Sequence, residues 1–446
     1  MLEAVTGIAT RTSQGEPTLK AVELPELLSP AMEQIPDELT DPKTKMHNRH
    51  VDMLVNKEVT DVLRMRAEIT KFMREHLYAK RFLEFQTPIL SQNAGGAVAR
   101  PFVTTATEFR DKHLAMRIAP ELWLKRLVVG GVDRVFEIGP SFRNEGIDAT
   151  HNPEFTMCEF YSAYSNLADL INETEELLGG LAERAAQLID TELTSLPRLD
   201  MDRFKRPFKQ VEFVPALEDA LGFRLPKLSS EDALPELLVA LKLADVSVPG
   251  EVPSTLPKLL DRLAAMYLEP QSFEQPVFIT HHPSCMSPLS KSFVCPTTFQ
   301  LVSARAELFV GGRELANMYE EENDPEEQKR KLATHRNLVN KPDGSVAIEV
   351  PPQSHPQDEA EIEGIETDVD GETSPLDQSF IKALDYGLPP TGGWGCGVER
   401  LVMLFSGAKR ISDCLSFGTL KNVVGLSAEN EDDRKLKQPA NTNGKA

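Results

Sequence analysis

The chain has 446 residues, 41% hydrophobic and 26% charged, an ordinary balance for a globular protein but too long for a single core. Its net charge of −21 argues against indiscriminate polyanion binding while leaving room for a local basic face. No run of eighteen apolar residues is present, so no membrane span is expected. Five cysteines (Cys158, Cys285, Cys295, Cys396, Cys414) without a CxxC pair speak against a zinc site or disulfide framework and for a reducing compartment.

Residues 1–50 carry few large apolar side chains and are punctuated by Pro25, Pro30, Pro36 and Pro42, so they cannot bury a core alone. Thr18–Leu28 is the only strand-like stretch there. From Val55 onward, Val59, Val62, Leu63, Ile69, Phe72, Met73 and Leu77 recur at three- and four-residue steps, predicting an amphipathic helix. Arg81–Leu90 alternates and reads as a strand ending near Pro88. Further strands are expected at Val132–Ile138 and Glu154–Tyr161, then a helix at Leu167–Leu188. A proline-punctuated helical insertion follows over about 190–275, including Leu234–Leu243 and Leu256–Leu268. Strands return at Val277–Thr280 and Leu301–Val310, and Val398–Phe405 forms the last apolar block. The acidic run 358–372 holds eight carboxylates and no cation, and the segment 333–375 around it reads as a disordered insertion. The tail after Val424 reads the same way. Strands with long connections and grouped helices predict an α+β fold with a mostly antiparallel sheet flanked by helices.

Three clusters stand out chemically. Phe142–Tyr161 gathers Arg143, Glu145, His151, Asn152, Glu154 and Glu159 in one strand–loop–strand region. On an alternating strand, Phe155, Met157, Glu159 and Tyr161 share a face, a mixture suited to a ligand with flat and charged parts. The second cluster pairs Glu307 with Glu314, hard oxygen donors of the kind Mg²⁺ takes, followed by alternating Asn317, Tyr319 and Glu321. The third, Gly387–Phe405, sets glycines that allow close backbone approach before Arg400 at the start of a helix-like run. Each has a plainer reading, as a surface hairpin, a chance carboxylate pair or a helix-start ion pair. Neither a P-loop nor a dinucleotide-type glycine turn is present.

In this order the clusters resemble the motifs of class II aminoacyl-tRNA synthetases, and within them the lysyl-tRNA synthetases. The stretches GGAVARPF, RIAPELWLKRLVVGGVDRVFEIG, FRNEGIDATHNPEFTMCEFY, HHPSCMSPL, RAELFVGGRELANMYEEENDP and DYGLPPTGGWGCGVERL carry the likeness over roughly 37–332 and 376–420. The resemblance implies a lysine–tRNA ligase that uses ATP to form lysyl-adenylate and passes lysine to tRNA(Lys). It assigns Arg143 to the α-phosphate and lysine carboxylate, Glu145 to the adenine side, and Phe155 and Arg400 to opposite faces of the ring. Arg400 also reaches the γ-phosphate, and His151 and Asn152 lie in the loop over ATP. Glu307 and Glu314 would hold Mg²⁺. Gly96 and Glu121 would take the lysine α-amino group, with Glu159, Tyr161 and Glu321 around the side-chain ammonium and Asn317 and Tyr319 completing the pocket.

The family is expected to be homodimeric and to act in mitochondrion or cytoplasm. Its N-terminal anticodon-reading OB-fold is expected here only as a remnant within residues 1–45, ahead of a catalytic domain in two parts, 46–332 and 376–424, and a tail, 425–446. The segment SGAKRISDCLSFGTLKN departs from the family's usual ending. Two alternatives stay open: a relative that transfers lysine to a protein, and an inactive synthetase-like regulatory dimer.

Overall fold

The computed structural model describes residues 2–97, 99–339, 377–420 and 423. Residues 333–339 of the insertion expected over 333–375 continue the helix Pro325–Val339, whereas the acidic run and the C-terminal tail lie outside the described residues.

Two compact units divide the chain at Val59/Thr60. The first contains more regular structure than the sequence predicts. Leu2–Ala4 pairs antiparallel with Glu26–Ser29, and Gly7–Arg11 forms a hairpin with Pro17–Ala21. The single expected strand, Thr18–Leu28, is therefore two strands broken by a bend. Nearly every side chain on these strands is exposed. Backbone pairing, which leaves no periodic apolar signature, holds them. Two short helices, Pro42–His47 and Arg49–Val55, follow, the first capped by the Asp41 carboxylate accepting from Thr44 N–H.

The second unit is built on an eight-stranded sheet. Its strands are β1 (Leu83–Glu84), β2 (Arg134–Phe142), β3 (Glu154–Ala163), β4 (Lys209–Glu212), β5 (Val277–Thr280), β6 (Arg305–Val310), β7 (Arg313–Glu320) and β8 (Thr391–Gly397). Their spatial order is β4-β5-β6-β7-β8-β3-β2-β1, antiparallel throughout except for the parallel pairs at the two edges. The glycine-rich Thr391–Gly397, for which the sequence predicts no element, is a central strand. Glycine normally weakens a strand, but here pairing on both sides with β3 and β7 fixes it. Leu301–Val310 is split, because Leu301–Ser303 pairs with Ser292–Val294 in a separate ribbon. The expected Arg81–Leu90 strand shrinks to β1 before Pro88.

One face of the sheet is covered by α1 (Lys57–Ala79), α3 (Leu167–Thr191) and α9 (Val398–Ser406), whose apolar stripes meet Phe160 and Trp394. These two rings stack at 5.0 Å across β3 and β8. The helices α4 (Phe213–Leu221), α5 (Ala233–Leu243) and α6 (Leu256–Tyr267) bury their leucines in a separate cluster against β5 and Phe309. A third, smaller cluster joins α2 (Glu121–Val129) to α8 (Gln378–Leu384), while α7 (Pro325–Val339) follows β7. These two clusters pack on the sheet's other face, on either side of the site.

Candidate active site

The strand register decides which side chains meet. One rung across the sheet reads Glu307, Asn317, Gly395, Glu159; the next reads Arg305, Tyr319, Gly393, Tyr161. All eight line a single cavity of about 930 Å³. Side chains alternate along a strand, so Glu314 and Asn317, three residues apart, would ordinarily face opposite sides. A bulge in the β6–β7 ladder pairs Phe309 with Glu314 and skips Leu315, which turns Glu314 back to the cavity. The bare glycines of β8 form the floor beneath.

At one end of the cavity sit the arginines. Arg143, just past β2, lies over the Phe155 ring at 5.1 Å and donates to Ile118 O at 3.4 Å. Burial holds its guanidinium below the usual range, and the charge of Arg400 acts in the same direction. Arg400, in the first turn of α9, donates to Glu314 O at 2.8 Å and approaches Glu314 Oε2 at 3.4 Å. Burial and the charge of Glu307 push the Glu314 carboxyl up. Glu307 behaves oppositely: burial would raise it, but Arg305 and His282 bring it down to about 2. Its carboxylate is gripped by the Arg305 guanidinium and by His282 Nε2 at 3.1 Å. Arg305 in turn donates to Asn317 Oδ1 at 3.0 Å and to Ser287 Oγ and Met286 O at 2.9 Å. Asp261, from α6, also lines the cavity.

The loop after Arg143 is pinned by Asp148, whose carboxylate accepts from Thr150 N at 2.6 Å and His151 N at 2.9 Å. Those bonds, the Thr150 backbone first, hold Asp148 at about 2. His151 is half-exposed and its Nδ1 faces Asp148. Asn152 is buried, donating to Glu154 O at 2.6 Å and accepting from Leu420 N–H at 3.2 Å. Glu145 is exposed at the rim. The departing segment near 407–423 contributes a 3-10 turn, Ile411–Cys414, whose Ile411 touches the cavity.

The opposite end is acidic and almost dry. Glu121, at the start of α2, accepts from Tyr319 Oη at 2.8 Å and from Lys125 Nζ at 2.5 Å. Gly96, at φ +96°, lies so close that a Cβ there would come within 2.9 Å of Glu121 Cβ. Glu159 accepts from Tyr161 Oη at 3.1 Å, and burial, then Glu121, pushes it up to about 8. Glu321 is fully buried one layer behind the lining. Its Oε2 is ion-paired with Lys125, and neither oxygen has a further hydrogen-bond partner among the described residues. Burial raises the Glu321 carboxyl well above its usual value despite Lys125. Both tyrosine hydroxyls are likewise raised, by burial first, and stay neutral donors.

Residues 41–421, which carry this sheet and cavity, match a family model described as tRNA synthetases class II (D, K and N). This chain belongs to that family. The synthetase is 40% identical over 427 residues to the mitochondrial lysine–tRNA ligase of Schizosaccharomyces pombe, covering 94% of this chain and 72% of that one. It is 39% identical to a probable cytoplasmic lysine–tRNA ligase of Encephalitozoon cuniculi, covering 93% and 77%. A lysine–tRNA ligase of Mycoplasma mobile is 37% identical, covering 94% and 77%.

The structure thus brings all the sequence-predicted residues to one cavity, with Glu321 set behind its wall. Sequence reasoning missed Lys125, Arg305, His282 and Asp261. Lys125, His282 and Arg305 lie inside quoted motifs, but a lysine on an apolar helix, a histidine beside a proline or an arginine at a strand start carries no sign of its partner. No helix among the described residues is long and apolar enough to cross a membrane.

Proposed function

We propose that the synthetase is a lysine–tRNA ligase, activating L-lysine with ATP and transferring it to tRNA(Lys). The observation that carries this reading is the charge layout of the cavity. Guanidinium groups occupy the end suited to phosphates, and buried carboxylates with tyrosine donors occupy the other. A diamino acid offers an ammonium at each end of its side of the cavity. Glu121 with the Gly96 backbone takes the α-amino group. Glu159, Tyr161 and Oε1 of Glu321 take the side-chain ammonium, with Asn317 and Tyr319 as walls. Lys125 alone does not balance Glu121, Glu159 and Glu321, and an aspartate or asparagine side chain would bring no second cation to them, at a cost of several kcal/mol.

The substrate carboxylate is already a nucleophile at neutral pH, so the chain needs no general base. It attacks the α-phosphorus, pyrophosphate leaves, and a ribose hydroxyl of tRNA later takes the lysyl group from the adenylate. Arg143 aligns the carboxylate with the α-phosphate, Arg400 grips the γ-phosphate, and Phe155 stacks on the adenine beside Glu145. His151 and Asn152 hold the loop above ATP. Glu307 and Glu314 form a part-buried, mutually repelling pair of hard oxygen donors, a set suited to a divalent cation. Among the described residues no three such side chains converge tightly enough for a resident ion. This fits Mg²⁺ held by these two carboxylates together with ATP, where it neutralises phosphate charge.

We further read the protein as a homodimer acting in mitochondrion or cytoplasm. The deciding experiment is ATP–pyrophosphate exchange with a panel of amino acids. Lysine should support it and EDTA should abolish it; exchange with aspartate or asparagine in place of lysine would overturn the pocket assignment. Charging of purified tRNA then separates the ligase from an enzyme that modifies proteins.

A further inference from the structure

Lys125 is the one cation inside the acidic end among the described residues, and its side chain is 0% exposed. Its ammonium lies between two carboxylates, at 2.5 Å from Glu121 Oε1 and in an ion pair with Glu321 Oε2. Three rings surround it, Tyr319 at 5.7 Å, Phe380 at 5.8 Å and Tyr161 at 5.9 Å, so the cation has few positions open to it. Glu121 comes from α2, whereas Glu321 follows β7. No backbone pairing sets the distance between them.

Each carboxylate gives Lys125 one oxygen and leaves the other off it. Glu121 Oε2 lies toward Gly96, and Glu321 Oε1 lies over the Gly393 floor without a partner. In the lysine reading, on which this inference rests, those two oxygens receive the two ammonium groups of the substrate. The geometry points to Lys125 as a specificity-determining positioning residue, an internal ammonium that ties the two anchoring carboxylates together and so fixes the length of diamino acid the pocket accepts. Lys125 itself touches no substrate. Other groups facing it are Tyr319 on β7 and Glu159 and Tyr161 on β3, with the uncharged Phe380 on α8. Without Lys125, this set contains three carboxylates and no cation.

The test compares wild type, Lys125→Met and Lys125→Arg in ATP–pyrophosphate exchange with lysine and with ornithine, one methylene shorter. Lys125→Met should raise the lysine KM by roughly 10- to 100-fold, the loss expected when charge-assisted hydrogen bonds lose their support, while the ATP KM holds. Its acid limb in kcat/KM for lysine should move to higher pH, a shift that a merely structural lysine would not cause. Lys125→Arg keeps the charge but alters the span. It should keep the wild-type pH limb yet lose about tenfold of the preference for lysine over ornithine. If Lys125→Met does not fold, Lys125→Arg decides alone. Wild-type lysine KM and discrimination in Lys125→Arg, or an unchanged KM and pH limb in a folded Lys125→Met, would overturn the inference and leave the lysine reading intact. A wild-type protein that shows no lysine-dependent exchange would instead remove both.

Discussion

Glu321 Oε1 occupies the space that a side chain at Gly393 would need. A Cβ at that position would overlap this oxygen outright and lie 2.6 Å from Tyr161 Cε1. The central strand β8 is glycine at this point because two groups from neighbouring strands close over it. Gly393→Ala should therefore displace Glu321 or Tyr161 while keeping the sheet, since overpacking by one methyl costs about 1–3 kcal/mol. Exchange kinetics should show a lysine KM raised at least about tenfold with a nearly unchanged ATP KM. An unaltered lysine KM would show that these groups do not read the substrate.

Arg400 stands at the other end, anchored through Glu314 O at 2.8 Å. Arg400→Ala removes the guanidinium proposed to grip the γ-phosphate and should lower the exchange rate by about 10²–10³. Sedimentation should show the same oligomeric state as wild type. Retained exchange would end the phosphate role.

Lysine affinity should depend on pH in a specific direction. Glu159 is raised to about 8, so at neutral pH it keeps a proton in the ligand-free enzyme and must lose it to accept an ammonium. Lysine kcat/KM should accordingly climb as pH rises through about 8, with proton release on binding seen by calorimetry in buffers of different ionisation heat. The sign for stability is opposite. A carboxyl whose folded pKa is raised contributes stability that is full below its ordinary range and lost as pH climbs to about 8. Glu159→Gln should flatten both profiles.

Glu399 offers a test of the fold apart from chemistry. Nearly buried in α9, it accepts from Arg66 Nη2 at 2.8 Å and, with both oxygens, from Thr156 N at 3.1 Å. Glu399→Ala leaves the Arg66 charge and a backbone N–H without their acceptor and should cost about 3 kcal/mol in denaturant unfolding. A loss below half a kilocalorie would mean that the α1–β3–α9 junction is held by apolar packing alone.

The helices were legible where one face is apolar over several turns. Val62, Ile69, Met73 and Leu77 of α1 are buried as their spacing predicts. The exposed strands before residue 30 were mostly not, because backbone hydrogen bonds impose no pattern on side chains that face water. The glycine strand β8 also escaped, since glycine's strand role depends on the neighbours that flank it.

From its sequence alone the chain determined its family, the identity of its charged side chains and the alternation that sets Phe155, Met157, Glu159 and Tyr161 on one face. Local periodicity and motif order are properties of contiguous residues, and contiguous residues suffice to read them. Which of those charges stand opposite one another was decided only by the tertiary structure. The register of β6, β7, β8 and β3 aligns Glu307, Asn317, Gly395 and Glu159 in one rung, and a bulge turns Glu314 to the same side. The pairing of Lys125 with both Glu121 and Glu321 joins groups nearly two hundred residues apart, and such an ion pair exists only once the sheet and α2 have closed around it.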